Sequence, residues 1–470
     1  MKREPPPRYS NPSFGGFIGV ARCDITLPVG IYNRLWGAAT YDRSEGTHRP
    51  ITATVLAVRR QAEDAPLLLV AIDWPVLATK SNAQLMYEHL LPLTGHDPAR
   101  VIVACSHTHG VGVGFFGPDR FILPGGDLIL PYMMKSRDQI ADAARAAIAQ
   151  SANTRAMITW ATGRCSLAAN RDFPDPDPKK DRCVCGFNPD KPADDTVMVG
   201  RITRDSDHKV IATLVNYACH PTTLAWDCKL ASPDYIGAMR EVVETHTTGA
   251  PCLFLQGAAG DLAPAQQYVG DTAVADKHGR QLGFAALSAL EGMLPPRQCM
   301  AYDGAVESGA PLAAWRLGPY VPSDRLQLLH LDVKLPLVPL PTLAQLQKAL
   351  EASTDRVMSE RLRRKITIVN AFGTESTSAQ PAWIWQLGDA VLCGQPNEPY
   401  SVLQERLRAA FPRQAIIFMG LVGVGYGYLY PRDLADRDIY QVWQSPFAPG
   451  ALEILQAELE QAIRSVTSRM

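Results

Sequence analysis

Short apolar runs alternate along the chain with longer stretches in which apolar side chains recur every three or four positions. The short runs are rich in Val, Ile, Leu and Cys and predict buried strands, whereas the longer stretches predict amphipathic helices. The predicted strands are Thr52–Arg59, Leu67–Ile72, Val101–Cys105, Met157–Ala161, Val210–Ala218, Cys252–Gln256, Leu326–Val333, Ala390–Gly394 and Ala415–Gly420. The predicted helices are Asn82–Leu93, Arg137–Ser151, Pro233–Thr245, Ala275–Leu294, Leu343–Lys365, Tyr400–Ala410 and Ala451–Ser468.

This alternation predicts the fold class. It indicates an α/β protein with mixed, largely parallel sheets that are flanked by helices. We expect residues 17–470 to form a single domain with a weak internal boundary near residue 300, after a disordered or extended segment at residues 1–16. Asp172–Asp195 is polar and rich in proline, and we expect it to run over the surface or over a site.

Composition and charge exclude several classes of protein. The 470 residues include 46 Lys and Arg against 47 Asp and Glu, a formal net charge of −1. Because no basic face is visible, we expect no nucleic-acid partner. The apolar runs are shorter than the roughly 20 residues of a membrane span, and the N-terminus lacks the apolar core of a secretory signal. We therefore expect a cytoplasmic protein with unpaired structural cysteines, and the sequence leaves its oligomeric state open.

The stretch with the clearest candidate catalytic or metal-binding residues is Val101–Gly114. There an apolar strand runs into His107-Thr108-His109 and then into a glycine-rich loop. Residues i and i+2 of an extended chain point the same way, so the two imidazoles are expected on one face. Glycine after the pair lets a ligand approach the backbone closely. The pattern favours a metal site or an acid/base site over a pair of surface histidines.

Four further predicted strands also deliver polar side chains just beyond their carboxyl ends. These side chains are His220 after Val210–Ala218, Asp261 after Cys252–Gln256, Glu398 after Ala390–Gly394, and Tyr426, Tyr428 and Tyr430 after Ala415–Gly420. In open α/β sheets ligands bind at that edge, so the pattern predicts one shared site. Two histidines and a carboxylate suit a catalytic zinc ion, which lowers the pKa of water and polarises a carbonyl. His109 could then move a proton or hydrogen-bond the substrate.

Six short motifs, in order, resemble the neutral/alkaline ceramidase family. They are GVARCDIT, SHTHGVGVG, ACHPTT, LFLQGAAGDLAP, GQPNEPY and GYGYLY, and they extend from about residue 17 to about residue 440. The resemblance implies the fold of the family's catalytic domain, without the immunoglobulin-like domain that follows it in known members. It also implies a zinc-dependent hydrolase that cleaves an N-acyl amide bond.

The resemblance assigns roles to individual residues. It implies zinc ligands at His107, His220, Glu398 and a tyrosine of the GYGYLY segment, for which Tyr428 is the choice and Tyr426 the alternative. The other implied site residues are His109, Arg171, Asp261 and Tyr440. His109 matches a histidine that contacts substrate or transfers a proton, and Arg171 matches an arginine that reaches the site.

One departure from the family limits what the resemblance implies. The family has a serine where this chain has Ala263, so a serine nucleophile at this position is excluded and ceramide itself is a weaker expectation. Two alternatives remain open: a metal-dependent hydrolase or lyase that acts on a carbohydrate derivative, and a non-catalytic binding protein with a degenerate site. The expected partner is a small-molecule, glycan or lipid-like substrate.

Overall fold

The computed structural model describes residues 7–114, 120–425 and 427–468. Within these ranges the strands, β1 to β23 in chain order, are Arg8–Tyr9, Ser13–Asp24, Gly46–Thr47, Thr52–Arg59, Leu67–Ile72, Val101–Cys105, Arg155–Arg164, Ala168–Asn170, Asp172–Pro174, Cys183–Cys185, Thr196–Arg204, Val210–Tyr217, Leu230–Ala231, Cys252–Gln256, Leu262–Pro264, Gln298–Glu307, Pro311–Pro319, Leu326–Pro336, Thr377–Leu387, Ala390–Gly394, Glu398–Pro399, Ala415–Met419 and Tyr428–Leu429. The helices, α1 to α9, are Lys80–Leu90, Ile129–Ser151, Tyr235–His246, Thr272–Glu291, Leu343–Ala352, Arg356–Phe372, Val402–Ala410, Tyr440–Gln444 and Ala451–Thr467.

The larger main sheet has eight strands in the order β14-β12-β11-β7-β2-β4-β5-β6. Parallel pairing occurs at its two edges, β12 with β14 and β5 with β6, where α3 and α1 form the crossovers. The other five neighbouring pairs of this sheet are antiparallel. The mixed α/β class is confirmed, but the expected predominance of parallel pairs is corrected. Short hairpins, such as residues 60–66 between β4 and β5, can join only antiparallel neighbours.

A smaller sheet, in the order β18-β19-β20-β22, packs against the larger one. The apolar cluster between them contains Ile102 and Leu255 from the larger sheet and Trp385 and Ile417 from the smaller. Helices cover the outer faces: α2 packs on β2 and β4, α4 on β7 and β11, and α9 on β18 and β19. Each large apolar side chain buried in these layers contributes about 1.5–3 kcal/mol to folding.

The predicted strands and helices are found, with one correction. The single helix predicted over Leu343–Lys365 is two helices, α5 and α6, because Asp355 caps a new helix by accepting a hydrogen bond from the backbone N–H of Met358. Several strands, Ser13–Asp24 among them, escaped the prediction because polar residues and glycines interrupt their apolar pattern. In the described residues no helix is both long enough and apolar enough to cross a membrane.

The two sheets are joined at the edge where the strands end. The backbone N–H of Gly420 donates to the carbonyl of Gln256 (3.0 Å), and that of Cys105 donates to the carbonyl of Leu421 (3.1 Å). These bonds link the end of β14 and the end of β6 to the segment after β22. The loops that carry the expected site residues therefore meet in one place.

All ten cysteines are free, as expected.

Candidate metal centre

His107 and His109 converge through a turn after β6. His107 has a φ of 67°, and this left-handed conformation costs a non-glycine residue about 1–2 kcal/mol. The two ring centroids lie 4.8 Å apart with an angle of 86° between the planes. The structure thus brings the two imidazoles together by a turn, and not by the strand alternation that we expected.

A close contact with a neighbouring loop holds this turn. The hydroxyl of Thr108 donates to the carbonyl oxygen of Ser232 (2.6 Å), and Gly110 forms a backbone bridge to the same residue. A Cβ atom at Gly110 would lie 2.6 Å from that carbonyl oxygen. This glycine is therefore needed for the approach of another loop, and not for the approach of a ligand as the sequence suggested.

His107 and His220 both turn their Nε2 atoms into the site because backbone carbonyls hold their Nδ1 atoms. Nδ1 of His107 lies 2.8 Å from the carbonyl oxygen of Pro75, and Nδ1 of His220 lies 2.6 Å from that of Ala259. A carbonyl only accepts, so in each neutral ring Nδ1 carries the proton and Nε2 keeps a free lone pair. This tautomer is the one that a metal ligand adopts when its other nitrogen is hydrogen-bonded.

Glu398 adds a carboxylate to these two lone pairs. Its Oε2 lies 3.2 Å from Nε2 of His107 and 2.9 Å from Nε2 of His220, and all three side chains are buried. Buried hydrogen-bond acceptors that face one another repel unless a cation or a proton lies between them. Burial lowers the pKa of His220 to about 3, so that ring takes up no proton at neutral pH. The second oxygen of Glu398, Oε1, has no hydrogen-bond partner among the described residues. This donor set fits a divalent metal ion such as zinc.

His109 lies beside these groups on the wall of a cavity. Its Nε2 is 3.4 Å from Nε2 of His107, and its ring centroid is 5.2 Å from that of Trp36. The ligand atoms of His107, His109 and His220 lie within 4.8 Å of one another, so three imidazoles alone also have the spacing of a metal site. Burial, together with the two other histidines, lowers the pKa of His109 well below its ordinary value, so its ring is neutral at pH 7.

Tyr428 and Arg171 complete one side of the site. Tyr428 is directly paired with Glu398 where β21 and β23 run in parallel, and its ring is stacked at 27° on that of His220, with centroids 6.4 Å apart. Arg171 is buried and donates to the carbonyl oxygen of Gly260 (2.7 Å) and to the hydroxyl of Tyr428 (3.3 Å). Tyr426, the alternative ligand, lies outside the described residues.

Asp261 lies behind the site and not on its wall. Its Oδ1 accepts from the backbone N–H of Ser401 (2.7 Å) and its Oδ2 accepts from the hydroxyl of Ser401 (3.0 Å). Burial raises the pKa of Asp261 to about 6. The backbone N–H of Arg171 donates to the backbone carbonyl of Asp261. These contacts tie the turn that carries Glu398 to Arg171, so Asp261 positions both.

Two adjoining cavities, of 270 Å³ and 20 Å³, open onto the histidines. The smaller one reaches His107 and Glu398. Both are lined by Tyr440, whose ring centroid is 5.7 Å from that of Tyr428. Cys185, from the proline-rich excursion, lines the larger cavity, so this excursion runs over the site.

Several residues of the cavity wall were not predicted from the sequence. They are Trp36, Trp226 and Tyr268, which form one aromatic cluster, and Arg361 and Arg364 of α6. None follows a predicted strand, and the only available signal was the spacing of the two arginines on an amphipathic helix. Of the expected site residues, His107, His109, His220, Glu398, Tyr428, Arg171 and Tyr440 come together around these cavities, and Asp261 supports them from behind.

Comparisons with known proteins identify the fold. No protein-family model and no curated protein matches the chain. Among solved structures, the neutral ceramidase from Pseudomonas aeruginosa is 14% identical and matches with a TM-score of 0.67, over 98% of this chain and 75% of that chain. A ceramidase complexed with C2 is also 14% identical, with a TM-score of 0.65 over 97% of this chain and 76% of that chain. At this identity the likeness concerns architecture, and the chain has the fold of the neutral ceramidases.

Proposed function

We propose that the protein is a zinc-dependent hydrolase that cleaves an N-acyl amide bond in a substrate other than ceramide. The observation that carries the proposal is the convergence of two Nε2 lone pairs and a carboxylate, those of His107, His220 and Glu398, beside the cavities. The two solved ceramidase structures support an amide as the bond that is cleaved, because they share the fold.

The proposed ligands are His107, His220, Glu398 and Tyr428. Glu398 is preferred to His109 as the third ligand because its Oε2 contacts both imidazoles at 3.2 and 2.9 Å, whereas His109 is partly exposed and faces the cavity and Trp36. A zinc ion, when bound, supplies Lewis acidity, which polarises a carbonyl and lowers the pKa of water.

The protein's own side chains supply the proton transfer. Amide hydrolysis adds water across the C–N bond, so one proton must leave the attacking water and one must reach the departing nitrogen. His109 is neutral at pH 7 and lies on the cavity wall, so Nε2 can accept the first proton and return it to the nitrogen. Arg171 and Tyr440 line the same cavity and would orient the carbonyl oxygen. Ala263 offers no hydroxyl, so we propose no acyl-serine intermediate.

The test is zinc content together with activity. We expect about one zinc per chain in the wild type, and loss of that zinc in His107→Ala and in His220→Ala. His246→Ala is the matched control, because His246 is an exposed histidine at the end of α3 and lines neither cavity of the site. Mass spectrometry gives the metal content, and circular dichroism confirms that each variant is folded.

Substrate panels separate the candidate reactions. Release of a free amine from N-acyl amides, dependent on zinc, supports the proposal, and cleavage of glycans alone would favour carbohydrate chemistry. Wild-type protein that binds no zinc, or variants that retain it, would contradict the shared site and favour a non-catalytic binding protein.

A further inference from the structure

The larger cavity has walls of two chemical kinds. Trp36, Trp226 and Tyr268 form an aromatic cluster on its wall, with Trp226 and Tyr268 stacked at 24°. The same cavity is also lined by guanidinium groups. Aromatic surface suits an apolar part of a substrate, and guanidinium groups suit a polar or anionic part.

One of these cations is buried without a carboxylate partner. Arg171 is 3% exposed, and its hydrogen bonds go to the carbonyl of Gly260 and to the hydroxyl of Tyr428. Throughout the described ranges, no carboxylate forms an ion pair with it. Arg171 therefore adds positive charge to the buried wall next to Tyr428 and is not paired with an acid that lines the cavity.

Helix α6 brings further cations to the same cavity. Val357, Glu360, Arg361 and Arg364 line it at positions i, i+3, i+4 and i+7, so they share one helix face. The carboxylate on this face, Glu360, is already engaged by both of its oxygens with Arg120 at 3.1 Å. Glu360 also lies 3.5 Å from Nε of Arg364, so it serves two guanidinium groups, and Arg361 is the cation of this helix face that forms no ion pair with it.

Arg361 is placed to meet a substrate at the mouth. Its guanidinium lies 5.1 Å from the ring centroid of Trp443, which also lines the cavity and is 41% exposed. In the described part of the chain Arg361 forms no ion pair, and its guanidinium lies within cation–π distance of the indole. A guanidinium held in this way binds a carboxylate with two parallel hydrogen bonds.

The size of the cavity restricts the substrate further. Its volume is 270 Å³, just below the range of about 300–1,000 Å³ that is typical of small-molecule sites. A long acyl chain and a second lipid tail do not fit inside together, whereas a short acyl group beside an anionic group does.

We propose that the substrate is a compact N-acyl amide that carries a carboxylate or another anionic group, and that Arg361, stacked on Trp443, selects it. This inference rests on the proposed function and names the substrate class of the same site. Arg171 would contribute charge from the buried wall, and Arg361 would discriminate at the entrance.

The experiment compares matched amides with the zinc-loaded protein. N-butanoylglycine carries a carboxylate on the amine side, N-butylsuccinamate carries one on the acyl side, and N-butanoylethanolamine is neutral. N-butanoyltaurine replaces the carboxylate by a sulfonate and separates the two kinds of anion. Each is assayed with the wild type, with Arg361→Gln and with Lys365→Gln, a control that removes an exposed charge from α6 outside the cavity wall. Tryptophan fluorescence of the metal-free protein, titrated with the same compounds, measures binding without catalysis.

We expect kcat/KM to be at least tenfold higher for one carboxylated amide than for the neutral one. Arg361→Gln should remove most of that preference by raising KM about tenfold with little change in kcat, and should weaken binding to the metal-free protein equally. Lys365→Gln should behave as the wild type. Equal cleavage of charged and neutral amides, or equal effects of the two substitutions, would overturn this inference alone. Cleavage of none of the amides would overturn the proposed function itself.

Discussion

Replacing Glu398 by glutamine should stabilise the metal-free protein and reduce the stabilisation that zinc provides. In the metal-free protein Oε2 of Glu398 lies 3.2 Å from Nε2 of His107 and 2.9 Å from Nε2 of His220, whose ring burial keeps neutral by lowering its pKa to about 3. Glutamine has nearly the same shape, but its amide N–H can donate to one of those nitrogens. Glu398→Gln therefore turns a repulsive contact into a hydrogen bond and removes a buried negative charge.

The size of the effect follows from these contacts. The new hydrogen bond contributes about 0.5–1.5 kcal/mol, and relief of an unsatisfied buried group contributes about 1–3 kcal/mol. Unfolding entropy is about 2.1 cal/mol/K per residue, or about 1 kcal/mol/K for the 470 residues. The metal-free variant should thus melt about 1.5–4.5 °C above the metal-free wild type. Zinc at one hundred times its Kd should stabilise the wild type by about 2.7 kcal/mol, and the variant far less, because it has lost a charged ligand.

Differential scanning calorimetry with a chelator and with excess zinc measures both effects. We expect the variant to have the higher Tm with chelator and the smaller rise in Tm on adding zinc. Glu398→Ala is the control, because it removes the charge without supplying a donor and leaves a cavity. The inference that the carboxylate of Glu398 and the imidazole nitrogens repel each other would be refuted by either of two results. One is a metal-free glutamine variant with a Tm below that of the wild type, and the other is a variant whose Tm rises as much with zinc as that of the wild type.

The remaining predictions concern proton transfer, the support of the site and pH. His109→Gln should retain about one zinc per chain while kcat falls about 10²–10⁴-fold, as shown by metal analysis beside the amide assay; loss of zinc would make His109 a ligand instead. Asp261→Asn should lower the free energy of unfolding by about 1–3 kcal/mol and weaken zinc binding, because Ser401 and the turn that carries Glu398 lose their anchor; unchanged urea unfolding and zinc titration would contradict this. Burial lowers the pKa of His278 to about 4 in the folded state, below its unfolded value of 6.5, so the native state binds fewer protons and stability falls as pH drops from 6.5 to 4. Relative to the wild type, His278→Gln in the metal-free protein should reduce that fall by at most about 3 kcal/mol, measured by urea unfolding at pH 7 and pH 4.5; an unaltered slope would exclude His278 as its source.

The sequence predicted the strands that carry the site residues because those strands are short, apolar and buried on both faces. Val101–Cys105, Cys252–Gln256 and Ala390–Gly394 occur with the bounds that their patterns indicated. The rule that ligands bind at the carboxyl ends of strands then placed His107 and Glu398 together. Pairing directions were harder to predict, because a buried strand shows the same apolar run in a parallel and in an antiparallel sheet.

The details within the site depended on contacts that no local pattern encodes. The left-handed turn at His107 and the approach of Gly110 to Ser232 join segments more than 120 residues apart. The tautomers of the histidines depend on the carbonyls of Pro75 and Ala259, which resemble any other carbonyl in the sequence. Such features become visible only when the chain is folded.

Parts of the cavity wall and the metal centre belong to different elements of the fold, and this difference affects which substrate the site can select. The proposed ligands lie on or just beyond strands, whereas Arg361 lies on α6 and Trp36 on a loop. Covering segments tolerate change more readily than the strands beneath them, because fewer buried contacts constrain them. Chemistry at the strand ends can therefore be retained while the covering segments alter charge and volume. An amide hydrolase on this fold would then select a small anionic substrate through residues that no motif reveals.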